Sequence, residues 1–113
     1  MKLPNYEKVV INPQKFTDYI LSDSHPIGKY KAAYFKNIGY VKENYHLLMS
    51  EILKLIKENN IDLETENEFG KKYIISGMIS TPNKKILKVT TVWFIENNNS
   101  IPYFITVYPT KSK

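Results

Sequence analysis

"KKYIISGMISTPNKKILKVTTVWFIE", Lys71 to Glu96, decides the fold. It holds two runs rich in β-branched and aromatic residues, which favour strands. Between them stands "TPNKK", Thr81 to Lys85, where Pro82 and Asn83 signal a turn. Two such runs around a short turn predict an antiparallel hairpin. In the second run Leu87, Val89, Thr91, Trp93 and Ile95 alternate onto one face.

Outward from this hairpin the pattern continues. "NNNS", Asn97 to Ser100, is a loop, and "IPYFITVYP", Ile101 to Pro109, reads as a further strand closed by its proline. "LETENEF", Leu63 to Phe69, precedes the hairpin as a short polar strand. Together they predict a four-stranded antiparallel sheet within residues 61–109. In the last strand a strict alternation puts Phe104, Thr106 and Tyr108 on one face, approaching Thr90 or Thr91 according to register.

The first half of the chain has a different period. "ENYHLLMSEILKLIKENN", Glu43 to Asn60, sets Tyr45, Leu48, Ile52, Leu55 and Ile56 on one helical stripe. Asn12 is a good N-cap with Pro13 at the first helical position, and Phe16, Tyr19 and Ile20 lie beyond it at three-four spacing. A further helix runs from about Gly28 to Asn37, stopped by Gly39. Helices within 12–59 followed by strands predict an α+β fold, with N-terminal helices packed on one face of the sheet, in a single domain spanning 1–113.

Composition narrows the function. No cysteine is present, which removes disulfides, thiolate metal sites and cysteine nucleophiles and fits a reducing, cytoplasmic setting. No apolar run reaches membrane-spanning length, and "MKLPNYEKVV" lacks the apolar core of a signal peptide. The net charge of +5 favours a polyanionic partner such as RNA. Every basic residue is lysine, so phosphate would be met by point charges and not by the bidentate fork of arginine.

Candidate chemistry centres on "SHPIGKYKAAYF", Ser24 to Phe35. His25 can transfer protons near neutral pH, or it can serve only as a local hydrogen-bonding residue at the helix start. Lys31, beside Lys29, can neutralise charge on a phosphate, or be one of many surface cations. Thr106 and Tyr108 share a strand face and can hold a phosphate, although both residue types also simply favour strands. His46, amid the long helix, reads as structural or superficial. Two separated histidines without cysteine argue against zinc, and no phosphate-binding loop, dinucleotide fingerprint or nucleophile elbow occurs, so no cofactor is expected.

Read in order, "LPN", "HPIGKYKAAYF", "FGKKYIISG", "TVW" and "TVYP" resemble a family of small bacterial toxin-associated domains. Its pattern is Leu-Pro-Asn, His-Pro-x-Gly-x-x-Lys-Ala-x-x-Phe, Tyr-Gly-x-x-Tyr-x-x-x-Gly, Thr-Val-Trp and Thr-x-Tyr-Pro. His25, Pro26, Gly28, Lys31, Ala32 and Phe35 match the second block, while Gly70, Tyr73 and Gly77 match the third, with Phe69 in place of a tyrosine. Thr91, Val92 and Trp93, then Thr106, Tyr108 and Pro109, match the last two. The layout is similar to the barnase–EndoU–colicin–RelE ribonucleases, an analogy of fold.

The resemblance implies a metal-independent ribonuclease-like toxin domain acting on RNA, with a cognate antitoxin or immunity protein as partner. It supplies no active site, so roles are assigned from chemistry. His25 would transfer protons, while Lys31, Thr106 and Tyr108 would complete the catalytic set. Tyr73, Thr91, Trp93 and Lys29 would bind substrate, the aromatic rings by stacking on bases. The alternative is a non-catalytic protein- or nucleic-acid-binding module: an antitoxin, immunity protein or phage accessory protein.

Overall fold

The computed structural model describes residues 1–22, 24 and 29–110, with Lys29 and Tyr30 through their backbone. Helices come first and strands second, as the periodicities predict. The N-terminal segment forms a short 3-10 turn, Tyr6–Lys8, then passes the last strand of the sheet. Val10 makes an isolated parallel bridge there: its N–H donates to Pro102 O at 3.0 Å, and its carbonyl accepts from Phe104 N at 2.9 Å.

Asn12 caps as its sequence suggests, its Oδ1 accepting from Gln14 N at 3.0 Å. The turn it opens is wider than an α-helix. Phe16–Ile20 is a π-helical turn, closed by Leu21 N donating to Phe16 O at 2.7 Å. It still buries Phe16 and Ile20, as the three-four spacing requires.

Helix α1 spans Lys29–Asn37 and buries Ala32 and Phe35. Gly39 ends it with φ of 102°, a left-handed value suited to glycine. Tyr40 N donates to Phe35 O and Gly39 N to Lys36 O, the paired bonds of a Schellman cap. Helix α2 spans Tyr45–Glu58 and buries Leu48, Ile52, Leu55 and Ile56, the predicted stripe.

The sheet has order β1-β2-β3-β4: Leu63–Asn67, Gly70–Ser80, Ile86–Glu96 and Tyr103–Pro109. Every neighbouring pair is antiparallel. Tyr73, Ile75, Gly77 and Ile79 of β2 lie level with Trp93, Thr91, Val89 and Leu87 of β3, and this face meets the helices. Gly77 lets α2 come close: a Cβ there would stand 2.5 Å from Asn59 Nδ2 and 2.9 Å from Leu55 Cγ. Gly70 serves the β1–β2 turn with φ of 155°, where a Cβ would run into the Ile95 carbonyl. The two glycines of the third sequence block are therefore packing requirements.

One irregularity sets what each face carries. Val92 pairs with Thr106, but Trp93 pairs with Phe104, which leaves Ile105 as an extra residue in β4. A bulge of this kind breaks the period of two. Phe104 consequently joins Trp93 and Val107 in the core, while Thr106 and Tyr108 belong to the opposite face, level with Val92 and Thr90. This corrects the grouping of Phe104 with Thr106 and Tyr108 that strict alternation predicts.

Candidate functional site

The lysine of the first turn of α1 reaches the last strand. Lys31 Nζ donates to Thr106 Oγ1 at 2.7 Å. The same ammonium lies 5.3 Å from the ring centroid of Tyr19 and 5.9 Å from that of Tyr108, both within cation–π range. Three elements thus converge: α1 supplies the cation, β4 the hydroxyl and one ring, and the π-helical turn the other ring. The π-turn is what delivers Tyr19 here while Phe16 and Ile20 stay in the core.

Lys31 is half-buried, and no carboxylate pairs with it among the described residues. The one ion pair among them joins Lys71 to Glu64 at 3.7 Å, towards the other edge of the sheet. Burial, and then the nearby charge of Lys15, hold the Lys31 ammonium below its ordinary pKa of 10.5. Both causes disfavour the cation, and an incoming anion would offset the repulsion from Lys15. An ammonium has three donors. Thr106 takes one, and no other described residue takes the remaining two. The ammonium is thus held by one hydroxyl between two aromatic rings.

Sequence reasoning groups Lys31, Thr106 and Tyr108 in one catalytic set, and the fold brings these three together. His25 lies outside the described residues, as does the side chain of Lys29. The remaining candidates are elsewhere. Thr91 and Trp93 are fully buried on the helix-facing side of the sheet. There Trp93 Nε1 donates to Thr91 Oγ1 at 2.9 Å, and Thr91 Oγ1 donates to Ile75 O at 2.8 Å. Trp93 meets Phe104 edge-on at 5.3 Å between centroids. Tyr73 is buried beside it, and burial raises its phenol pKa. A ring that stacks on a base needs an open face, and these rings face core neighbours in this structure. His46 is exposed, its ring edge-to-face with Tyr45.

Tyr19 and Lys15 are absent from the sequence-based site. The three-four spacing assigns Tyr19 to a core stripe, and nothing local distinguishes a tyrosine that packs from one that faces a cation. Beside the site, Thr90 shares hydrogen bonds with Ser76 and Thr110, a hydroxyl row that continues the Tyr108 level across the sheet. No cluster of three or more metal-ligating side chains occurs among the described residues. No helix among them is long and apolar enough to cross a membrane.

Comparison with known proteins gives matches of two kinds. Residues 2–111 match the family described as "Domain of unknown function (DUF6883)". Among solved structures, a similar fold occurs in a contact-dependent growth inhibition toxin–immunity protein complex from Klebsiella pneumoniae 342. The likeness has a TM-score of 0.70 at 19% sequence identity, covering 89% of this chain and 99% of the other. No curated protein matches significantly.

Proposed function

The chain belongs to the DUF6883 family, and we propose that it is a metal-independent ribonuclease-like toxin domain whose Lys31 site receives the scissile phosphate of RNA. The observation that carries this reading is the convergence of Lys31, Thr106 and Tyr108, with a half-buried ammonium that no described carboxylate neutralises. The likeness to a chain of a toxin–immunity protein complex supports a place in a toxin system.

The chemistry is an in-line transesterification. The ribose 2′-oxygen attacks phosphorus as its proton leaves to a base, and the 5′-oxygen departs with a proton from an acid. The products are a 2′,3′-cyclic phosphate and a 5′-hydroxyl. Negative charge grows on the non-bridging oxygens in the transition state. Lys31, held by Thr106, would stabilise that charge through its two remaining donors. Tyr108 would guard one side of the ammonium and offer its partly exposed ring to a flanking base. His25, by its place in the sequence just before α1, is the residue assigned to proton transfer.

The test is incubation of purified protein with total RNA, with and without EDTA, followed by end-group analysis. Cleavage that persists in EDTA and leaves cyclic phosphate ends is expected. His25→Ala should lower the rate roughly 10²–10⁴-fold, the scale of general acid–base catalysis. Equal rates for wild type and His25→Ala would remove His25 from the mechanism. A second reading is an immunity-type binding module, favoured by the origin of the similar structure in a complex of both kinds of protein. It predicts no cleavage of any RNA and tight capture of a toxin.

A further inference from the structure

The β2–β3 turn and the C-terminal end of α1 are tied together into one lysine-rich end of the molecule. Asn83 Nδ2 donates to Asn37 O at 3.0 Å, and Tyr40 OH donates to Ser80 O at 2.9 Å. Gly39 lies so close to Pro82 that a Cβ would stand 2.8 Å from the proline Cβ. Within the turn, Lys85 N donates to Thr81 Oγ1 and Lys84 N to Thr81 O. Lys84 itself has φ of 64°, a left-handed value uncommon for a residue with a side chain. The segment after Gly39 is tied in as well. Asn44 Oδ1 accepts from Val41 N, and Asn44 Nδ2 donates to Gly39 O.

This framework displays Lys36, Lys42, Lys84 and Lys85, all exposed. Lys36 and Lys42 flank a cavity of about 310 Å³ lined also by Tyr40, Val41 and Glu43. Among the described residues, two carboxylates belong to the neighbourhood. Glu43 is on the rim, and Glu51 accepts from Ser80 N at 2.7 Å. Glu64 and Glu66 on β1, and Glu68 in its turn, are exposed, with Lys71 and Lys72 exposed beside them on β2 and Lys71 paired to Glu64. β1 pairs with Gly70–Ile74 of β2, at the far end of that strand from the β2–β3 turn. Lys36 is about 7.5 Å along the α1 axis from Lys31 and about 140° round it, at 1.5 Å and 100° per residue.

We propose that this lysine-rich end is a second nucleic-acid contact, which grips the backbone of RNA beyond the scissile phosphate and makes the substrate a long RNA rather than a short oligonucleotide. The proposal rests on the ribonuclease reading of the Lys31 site. Nucleic acid fits better than an acidic protein for a reason of composition. Protein interfaces are anchored by buried aromatic or arginine side chains. Here Tyr40 is buried and hydrogen-bonded, there is no arginine, and the adjoining exposed apolar residues, Ile86 and Met78 on the outer face of the hairpin, are not aromatic anchors. Separate point charges suit repeated phosphates, which need no anchor.

The experiment compares wild type with the triple variant Lys36→Gln/Lys84→Gln/Lys85→Gln, which removes the charges and keeps polar side chains. Binding to poly(U) and to the dinucleotide UpU is measured across a salt series, with polyglutamate as a protein-like polyanion. Each phosphate contact to a single strand contributes about 0.7 to the salt slope. Loss of three contacts should therefore flatten the poly(U) slope by about 2, with UpU binding unchanged. An unchanged poly(U) slope overturns the proposal, and so does wild-type binding of polyglutamate as tight as that of poly(U). Lys31→Ala separates the two claims: if it cleaves RNA like wild type while the triple variant shows the flattened slope, the Lys31 reading falls and the backbone contact stands. If wild type binds neither poly(U) nor UpU, both fall.

Discussion

Lys31 and Thr106 are 75 positions apart in sequence and joined by a 2.7 Å hydrogen bond from Nζ to Oγ1. Among the described residues, the bond fixes the one lysine whose pKa is displaced, and it fixes it at the edge of the sheet between two tyrosine rings.

The first prediction concerns pH. The folded state holds the Lys31 pKa below 10.5, through burial first and Lys15 second. The unfolded chain therefore binds more protons at this position between the two pKa values, and stability contributed by Lys31 rises with pH through that window. Below the folded pKa the cation carries its full cost. Lys31→Met removes the charge and keeps the stem. Denaturant melts at neutral pH and at pH near 10.5 should show the stability difference shifting in favour of wild type as pH rises. A difference that shifts the other way would show that the fold favours the cation.

Tyr108 separates ring from hydroxyl. Tyr108→Phe keeps the aromatic face over Lys31, so RNA binding should stay within about threefold of wild type, the size of a weak exposed contact. Tyr108→Leu removes a cation–π contact of about 0.5–1 kcal/mol at an exposed site and a stacking surface of about 1–3 kcal/mol per base. Its RNA affinity should fall by about tenfold or more in a titration at fixed salt. Equal loss in both variants would place the role in the hydroxyl.

Thr91→Val tests the core. The substitution conserves shape but removes the acceptor for Trp93 Nε1, leaving a buried donor unsatisfied. That costs about 1–3 kcal/mol, readable as a lower urea midpoint. RNA affinity of the folded variant should be unchanged, because Thr91 and Trp93 face the helices. A selective loss of RNA binding at full stability would return Thr91 to the substrate site.

Gly77→Ala tests how α2 seats on the sheet. The new methyl would stand 2.5 Å from Asn59 Nδ2 and 2.9 Å from Leu55 Cγ, inside contact distance. Overpacking of this kind costs about 1–3 kcal/mol. An unchanged melting curve would mean that Asn59, hydrogen-bonded to Leu55 O, yields without moving the helix.

The sequence by itself determined the elements. The stripe of Leu48, Ile52, Leu55 and Ile56 and the alternation of Leu87, Val89, Thr91, Trp93 and Ile95 are local patterns, and a local period fixes which face of its own element is apolar. Gly39, Asn12 and the Pro82–Asn83 turn punctuated the chain for equally local reasons of backbone geometry. The site was legible as residue types, since Lys31, Thr106 and Tyr108 could be nominated, but not as a place. Only the tertiary structure decided that Ile105 is an extra residue in β4, turning Phe104 inward and Thr106 and Tyr108 to the other face, away from Thr91 and Trp93. It also decided that a π-turn carries Tyr19 to Lys31. A bulge is set by pairing with a neighbouring strand and a cation's surroundings by the docking of distant elements, so neither leaves a period in the sequence to read.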